Sequence, residues 1–123
     1  GQEVKAGQFR ERLRTKSDRP AFWIYVVRHS NEVLQVKRFR AANPNYKPGK
    51  PCYYVGMTGR TPDLRIVQHL EGYKSCSLVR KFGQHLARKK FEGIPPLCYA
   101  EAVKMEVSHA EALRAQGYAV WQK

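Results

Sequence analysis

Two short runs of aromatic and β-branched residues constrain this chain more than any other feature. Phe22-Trp23-Ile24-Tyr25-Val26-Val27 and Cys52-Tyr53-Tyr54-Val55-Gly56 carry the residue types that suit a pleated, packed surface, so each predicts a strand. Between them, Arg38 to Pro51 contains Pro44, Pro48, Gly49 and Pro51. That stretch excludes a tight hairpin turn and predicts a loop. The cations of residues 37–51, Lys37, Arg38, Arg40, Lys47 and Lys50, make it a basic loop suited to binding rather than a neutral connection.

After Gly56 the pattern turns helical. Thr61-Pro62-Asp63 reads as an N-cap followed by proline at the first helical position. Leu64, Val67 and Leu70 recur at spacing three and predict the inward stripe, with Arg65 and His69 four apart on a neighbouring face. Gly72 should end that helix. A second helix is expected over Cys76 to Lys89, with Leu78, Val79, Phe82 and Leu86 inward, until Gly93-Ile94-Pro95-Pro96 breaks it. Leu97 to Val103 reads as a third strand. Glu106 to Ala115 reads as a helix with Val107, Ala110 and Leu113 on one side, and Tyr118 to Trp121 as a short final strand. The order is β-β-α-α-β-α plus that strand, an α+β chain. Residues 1–20 form a basic N-terminal extension whose Phe9 and Leu13 could line one helical turn, and residues 21–123 form one domain.

The 123 residues hold 23 Lys and Arg against 10 Asp and Glu, a net charge of +13. So large an excess points to a polyanionic partner. The acidic residues gather late: Glu92, Glu101, Glu106 and Glu111 outnumber Lys104, Arg114 and Lys123 beyond residue 90. A phosphate-binding face with a separate acidic position would be distributed this way. No apolar run approaches the ~18–20 residues that span a bilayer, and residues 1–20 hold no apolar signal-peptide core. Both observations favour a cytoplasmic protein without a membrane partner. Cys52, Cys76 and Cys98 are too few and too scattered for a zinc site, and read as reduced thiols.

Five polar residues stand where packing alone does not ask for them: Tyr25 and Tyr54 in apolar strands, Arg65 and His69 on the next helix, and Glu106 on the last. Singly, each has an ordinary explanation. A strand tyrosine is most often a core aromatic, Arg65 a solvated cation, and Glu106 a carboxylate favoured by a helix dipole. The combination is more specific than its members.

Together they resemble the GIY-YIG nuclease superfamily over about residues 22–121. Trp23-Ile24-Tyr25 is similar to the first motif, with Trp in place of glycine, and Tyr54-Val55-Gly56 to the second. Arg65 and His69 match the family's Arg-xxx-His/Tyr pair. Glu106 follows a third strand, where the family keeps its metal-binding glutamate. The chain departs from the pattern in its long 28–51 segment, in Met57 where some members have lysine, and in lacking an Asn within Gly117-Tyr118-Ala119-Val120. Arg60 or Lys74 would stand in for that lysine. Among the carboxylates Glu106 fits best, with Glu101 as the fallback.

The resemblance implies a small domain with a mostly antiparallel three-stranded sheet flanked by helices, and a metal-dependent DNA endonuclease acting on duplex DNA. Tyr54, with Tyr25 beside it, or else His69, would activate water. Arg65 would stabilise the phosphoryl group in the transition state. Glu106 would hold one Mg²⁺, with Mn²⁺ able to substitute. Gly56, Arg60, Lys74, Lys37, Arg38, Arg40, Lys47 and Lys50 would contact substrate. A catalytically inactive DNA- or RNA-binding module of the same fold is the alternative, and monomer and homodimer both remain open.

Overall fold

The computed structural model describes residues 19–122. The helical turn expected at Phe9 and Leu13 lies outside the described residues. The elements are β1 (Trp23–His29), a 3-10 turn (Asn31–Gln35), α1 (Lys37–Ala41), β2 (Cys52–Thr58), α2 (Pro62–Glu71), α3 (Ser77–Phe82), β3 (Gly83–Leu86), a second 3-10 turn (Arg88–Lys90), α4 (Tyr99–Ala115) and β4 (Ala119–Gln122).

The described residues form an α+β fold with a mixed four-stranded sheet in the order β3-β1-β2-β4. β1 pairs antiparallel with β2, setting Tyr25 opposite Gly56 and Val27 opposite Tyr54. β3 is antiparallel to β1. β4 runs parallel to β2 and places Trp121 beside Tyr54. The expected sheet of three mostly antiparallel strands is thus enlarged by the final strand, which joins as a parallel neighbour.

Both faces of the sheet are covered, which is why β1 and β2 are buried almost continuously rather than in alternation. Val26, Val55 and Val120 pack with Ala102, Ala110 and Leu113 of α4. Cys52 and Ala119 join Val33, Phe39, Leu78 and Phe82 in a second cluster. His29 is wholly buried. Its ring stacks on Tyr54, centroids 6.3 Å apart and planes 16° from parallel, and neither ring nitrogen has a hydrogen-bond partner.

Several expectations are corrected. The helix expected over Cys76–Lys89 stops at Phe82, and the third strand is Gly83–Leu86. A Cβ at Gly83 would run into the Val79 carbonyl oxygen, so glycine lets the chain leave the helix tightly and enter the sheet. Leu97–Val103 is not a strand. Leu97 makes one isolated bridge to Phe22, and Tyr99–Ala115 is continuous helix. Ala100, Glu101, Ala102, Lys104, Met105 and Glu106 are strong helix formers, and Ala102, Glu106, Ala110 and Leu113 form its buried stripe.

The stripe Leu64, Val67, Leu70 faces solvent instead of the core, as does Val107. α2 is rotated so that His69 is buried and meets the Tyr25 hydroxyl at 2.7 Å. A buried hydroxyl without a partner is costly, and this bond, together with Ile66 packed against the core, favours that rotation. The start of α2 is as expected: Thr61 Oγ1 accepts from the Leu64 N–H at 3.2 Å, and Gly72 ends the helix at φ +88°.

The 37–51 segment is less loop-like than expected. Lys37–Ala41 is helical, with Phe39 buried. Asn43, also buried, clamps β4: its Oδ1 accepts from the Val120 N–H at 2.7 Å, and its Nδ2 donates to the Val120 carbonyl at 3.1 Å and the Phe39 carbonyl at 2.8 Å. All three cysteines are free thiols. Among the described residues no helix is long and apolar enough to cross a membrane.

Candidate active site

Tyr25, Tyr54, Arg65, His69 and Glu106 all line one cleft of about 880 Å³. Five residues chosen from four separate elements therefore converge. β1 and β2 supply the tyrosines on one face of the sheet, α2 contributes Arg65 and His69 one turn apart, and α4 contributes Glu106 from the other layer.

The tyrosine rings lie 6.1 Å apart, and the absence of a side chain at Gly56 permits this. A Cβ there would sit 2.7 Å from Tyr25 Cζ and Oη and 2.8 Å from Tyr54 Cε2. Gly56 is buried beneath the pair and does not line the cleft. Gly56→Ala is expected to cost about 1–3 kcal/mol through overpacking and to displace both phenols. Urea denaturation measures this; an unchanged midpoint would remove the steric role.

Burial pushes Tyr25 up to about 12, against the opposing pull of the Arg65 charge and of the neighbouring Tyr54 hydroxyl. Burial raises Tyr54 further still, reinforced by Tyr25, Cys76 and Glu106. Both phenols are therefore protonated at neutral pH in the free protein. His69 Nε2 lies 2.7 Å from Tyr25 Oη. Its Nδ1 lies 3.4 Å from Ser75 Oγ and 3.4 Å from the Cys76 backbone nitrogen, and the tautomer decides which of the two it bonds. Burial, with the Arg65 charge, lowers His69 to about 4, so it too is neutral.

Arg65 is held in place by the loop that follows its own helix. Its guanidinium donates to the Tyr73 carbonyl at 3.1 Å and the Lys74 carbonyl at 2.7 Å. Lys74 adopts φ +43°, a conformation uncommon outside glycine. Among the described residues the one ion pair joins Arg88 and Asp63, so no carboxylate neutralises Arg65. A preoriented, uncompensated guanidinium at the mouth of a cleft suits a phosphate.

Of the late carboxylates, Glu106 alone lines the cleft; Glu101 is exposed on the first turn of α4 and Glu111 lies beside Arg114 in a separate cavity. Glu106 is 6% exposed, and burial raises its pKa against the hydrogen bond from Gln122. That bond runs from Gln122 Nε2 to Glu106 Oε1 at 2.5 Å. Sequence reasoning missed Gln122. Its residue type gave no signal; only the parallel register of β4 on β2 brings it here.

The substrate-contact candidates separate. Arg38 and Lys74 line the cleft, with Arg38 donating to Ser77 Oγ at 3.1 Å. Lys37 lies with Arg38 in an adjoining depression. Arg60 is exposed at the end of β2 and does not line the cleft. Arg40 is tied to the Leu34 carbonyl. Lys47 and Lys50 lie elsewhere, Lys47 against Gly117 and Lys50 against the Gln116 carbonyl and the Tyr118 ring.

No family model, characterised protein or solved structure matches this chain. The cleft's own chemistry therefore carries the functional reading.

Among the described residues no group of three or more His, Cys, Asp or Glu could hold a metal. A tight all-protein cage is excluded there. Glu106 still fits Mg²⁺, which commonly takes one or two carboxylates together with substrate phosphates and water.

Proposed function

We propose that this protein is a GIY-YIG-type endonuclease that hydrolyses phosphodiester bonds in DNA. The observation that carries the reading is the convergence of two tyrosines, an uncompensated arginine, a histidine and a buried glutamate on one cleft in a chain of net charge +13.

Arg65 grips a non-bridging phosphate oxygen and stabilises the charge that grows there as water adds. Tyr54 orients the attacking water. Being protonated, it can take a proton from water only by passing its own onward. Tyr25 and then His69 Nε2 continue that line inward, the last step spanning 2.7 Å. His69 is the neutral acceptor at its end, with its Nδ1 proton directed to Ser75 Oγ, whose own proton goes to the His69 carbonyl at 2.8 Å.

Glu106, steadied by Gln122, is the residue that would hold the divalent cation. When bound, Mg²⁺ or Mn²⁺ would neutralise charge on the leaving 3′ oxygen. Arg38 and Lys74 add sequence-independent phosphate contacts, so binding should weaken steeply with salt.

Supercoiled plasmid incubated with Mg²⁺, with EDTA, and with the Glu106→Ala variant tests the reading. Nicking that needs the metal and disappears with Glu106→Ala is expected. Salt-sensitive binding without cleavage under Mg²⁺ or Mn²⁺ would leave a binding module instead.

A further inference from the structure

The cleft has a second wall that phosphate chemistry does not use. Tyr99, Val103 and Val107 repeat at spacing four along α4 and are 49%, 42% and 42% exposed. All three line the cleft, flanking Glu106. From Tyr99 to Val107 the stripe runs about 12 Å along the helix. Tyr99 is backed by Phe22, ring centroids 5.3 Å apart and nearly perpendicular. The cations of the cleft come from other elements: Arg38 from α1, Arg65 from α2 and Lys74 from the loop after it.

One cleft thus offers phosphate contacts from one set of elements and an aromatic-aliphatic surface from another. A fully stacked duplex cannot satisfy both. Its bases are turned inward and show only their edges in the grooves, so its backbone presents phosphate and sugar alone. A strand whose bases are unstacked can lay a base on an aromatic ring while its phosphates meet the cations.

We propose that the Tyr99-Val103-Val107 face of α4 seats an unstacked nucleobase next to the phosphate held at Arg65. The preferred substrate is then a nucleic-acid strand with unpaired bases, single-stranded or bulged, rather than fully paired duplex. The proposal deepens the nuclease reading and rests on it for the phosphate position, but its binding test does not require cleavage.

Fluorescence anisotropy in EDTA, with a labelled oligo-dT and a blunt duplex of equal length, separates the possibilities. Tyr99→Ala should weaken oligo-dT binding by about tenfold, the scale of one lost base–aromatic stack, and leave duplex binding unchanged. Tyr99→Phe should restore it. Val103→Asp, at an exposed position that makes little demand on folding, should weaken it independently by repelling the strand.

Equal losses on both ligands, or none on oligo-dT, would overturn the proposal. So would a change in sedimentation on Tyr99→Ala without a change in strand affinity, which would make the wall a contact between copies of this chain. Plasmid nicking with Tyr99-independent oligo-dT binding would overturn this inference and keep the nuclease. Tyr99-dependent oligo-dT binding without any cleavage would do the reverse.

Discussion

Arg65→Ala is expected to slow strand cleavage by about 10³-fold, the upper end of what one lost transition-state donor costs, while leaving the fold in place. The guanidinium is the site's only cation that is both held by fixed backbone carbonyls and set beside the tyrosine pair, where its charge already pulls on Tyr25. Ground-state binding should fall less, because Arg38 and Lys74 also line the cleft and would still reach phosphate. Arg65→Lys should recover little, since an ammonium lacks the planar fork that can hold two carbonyls and a phosphate oxygen together. Single-turnover cleavage rates alongside anisotropy Kd values measure the split. If affinity fell while the single-turnover rate at saturating protein held, Arg65 would be a ground-state phosphate contact, without a special transition-state role.

How much of this was legible in the sequence differs by element. β1, β2 and the start of α2 were readable because their signals are local: aromatic and β-branched runs, then a Thr-Pro-Asp cap. The third strand was not. Gly83–Leu86 is four residues long and is a strand only because the β1 edge, from Val27 to His29, accepts it; nothing within Gly-Gln-His-Leu announces that. The 97–103 segment failed for the opposite reason. Its apolar run, broken only by Glu101, imitates a strand, but helix propensity continues into a seventeen-residue helix that covers the other face of the sheet.

The convergence of the five candidate residues on one cleft was more legible than the fold around it. Tyr25, Tyr54, Arg65, His69 and Glu106 were chosen by residue type and order, which survive errors in where a strand lies. Glu106 reached the cleft although the strand expected before it does not exist. The α2 stripe shows the limit of periodicity. Leu64, Val67 and Leu70 have the spacing of a core face, yet the helix turns His69 inward to meet a buried hydroxyl. Gln122 and Asn43 were invisible because each acts through a long-range contact that only the β4 register creates.

The protein should lose stability sharply as pH falls from about 6.5 towards 4. His29 and His69 are both lowered to about 4, chiefly by burial, whereas in the unfolded chain each titrates near ~6.5. The sign follows from which state binds the protons. Between those values the unfolded chain takes up protons that the folded chain refuses, so acid favours unfolding; above pH 6.5 neither state is protonated and the full stability is present. Each histidine alone accounts for about 3 kcal/mol across the window, at ~1.4 kcal/mol per pH unit. Two such losses are comparable to the whole stability of a small domain, ~5–15 kcal/mol. His29 gives the cleaner test because it stands outside the cleft, its ring nitrogens orphaned between Tyr54 and Phe39. His29→Phe keeps a flat ring in that slot and removes both orphan atoms. It should be at least as stable as wild type at pH 7, and lose about half the drop between pH 7 and pH 5. Urea midpoints at the two pH values read this directly. An unchanged pH slope in His29→Phe would mean that water or a partner satisfies the ring in solution, and that His29 is not the buried neutral group its surroundings make it.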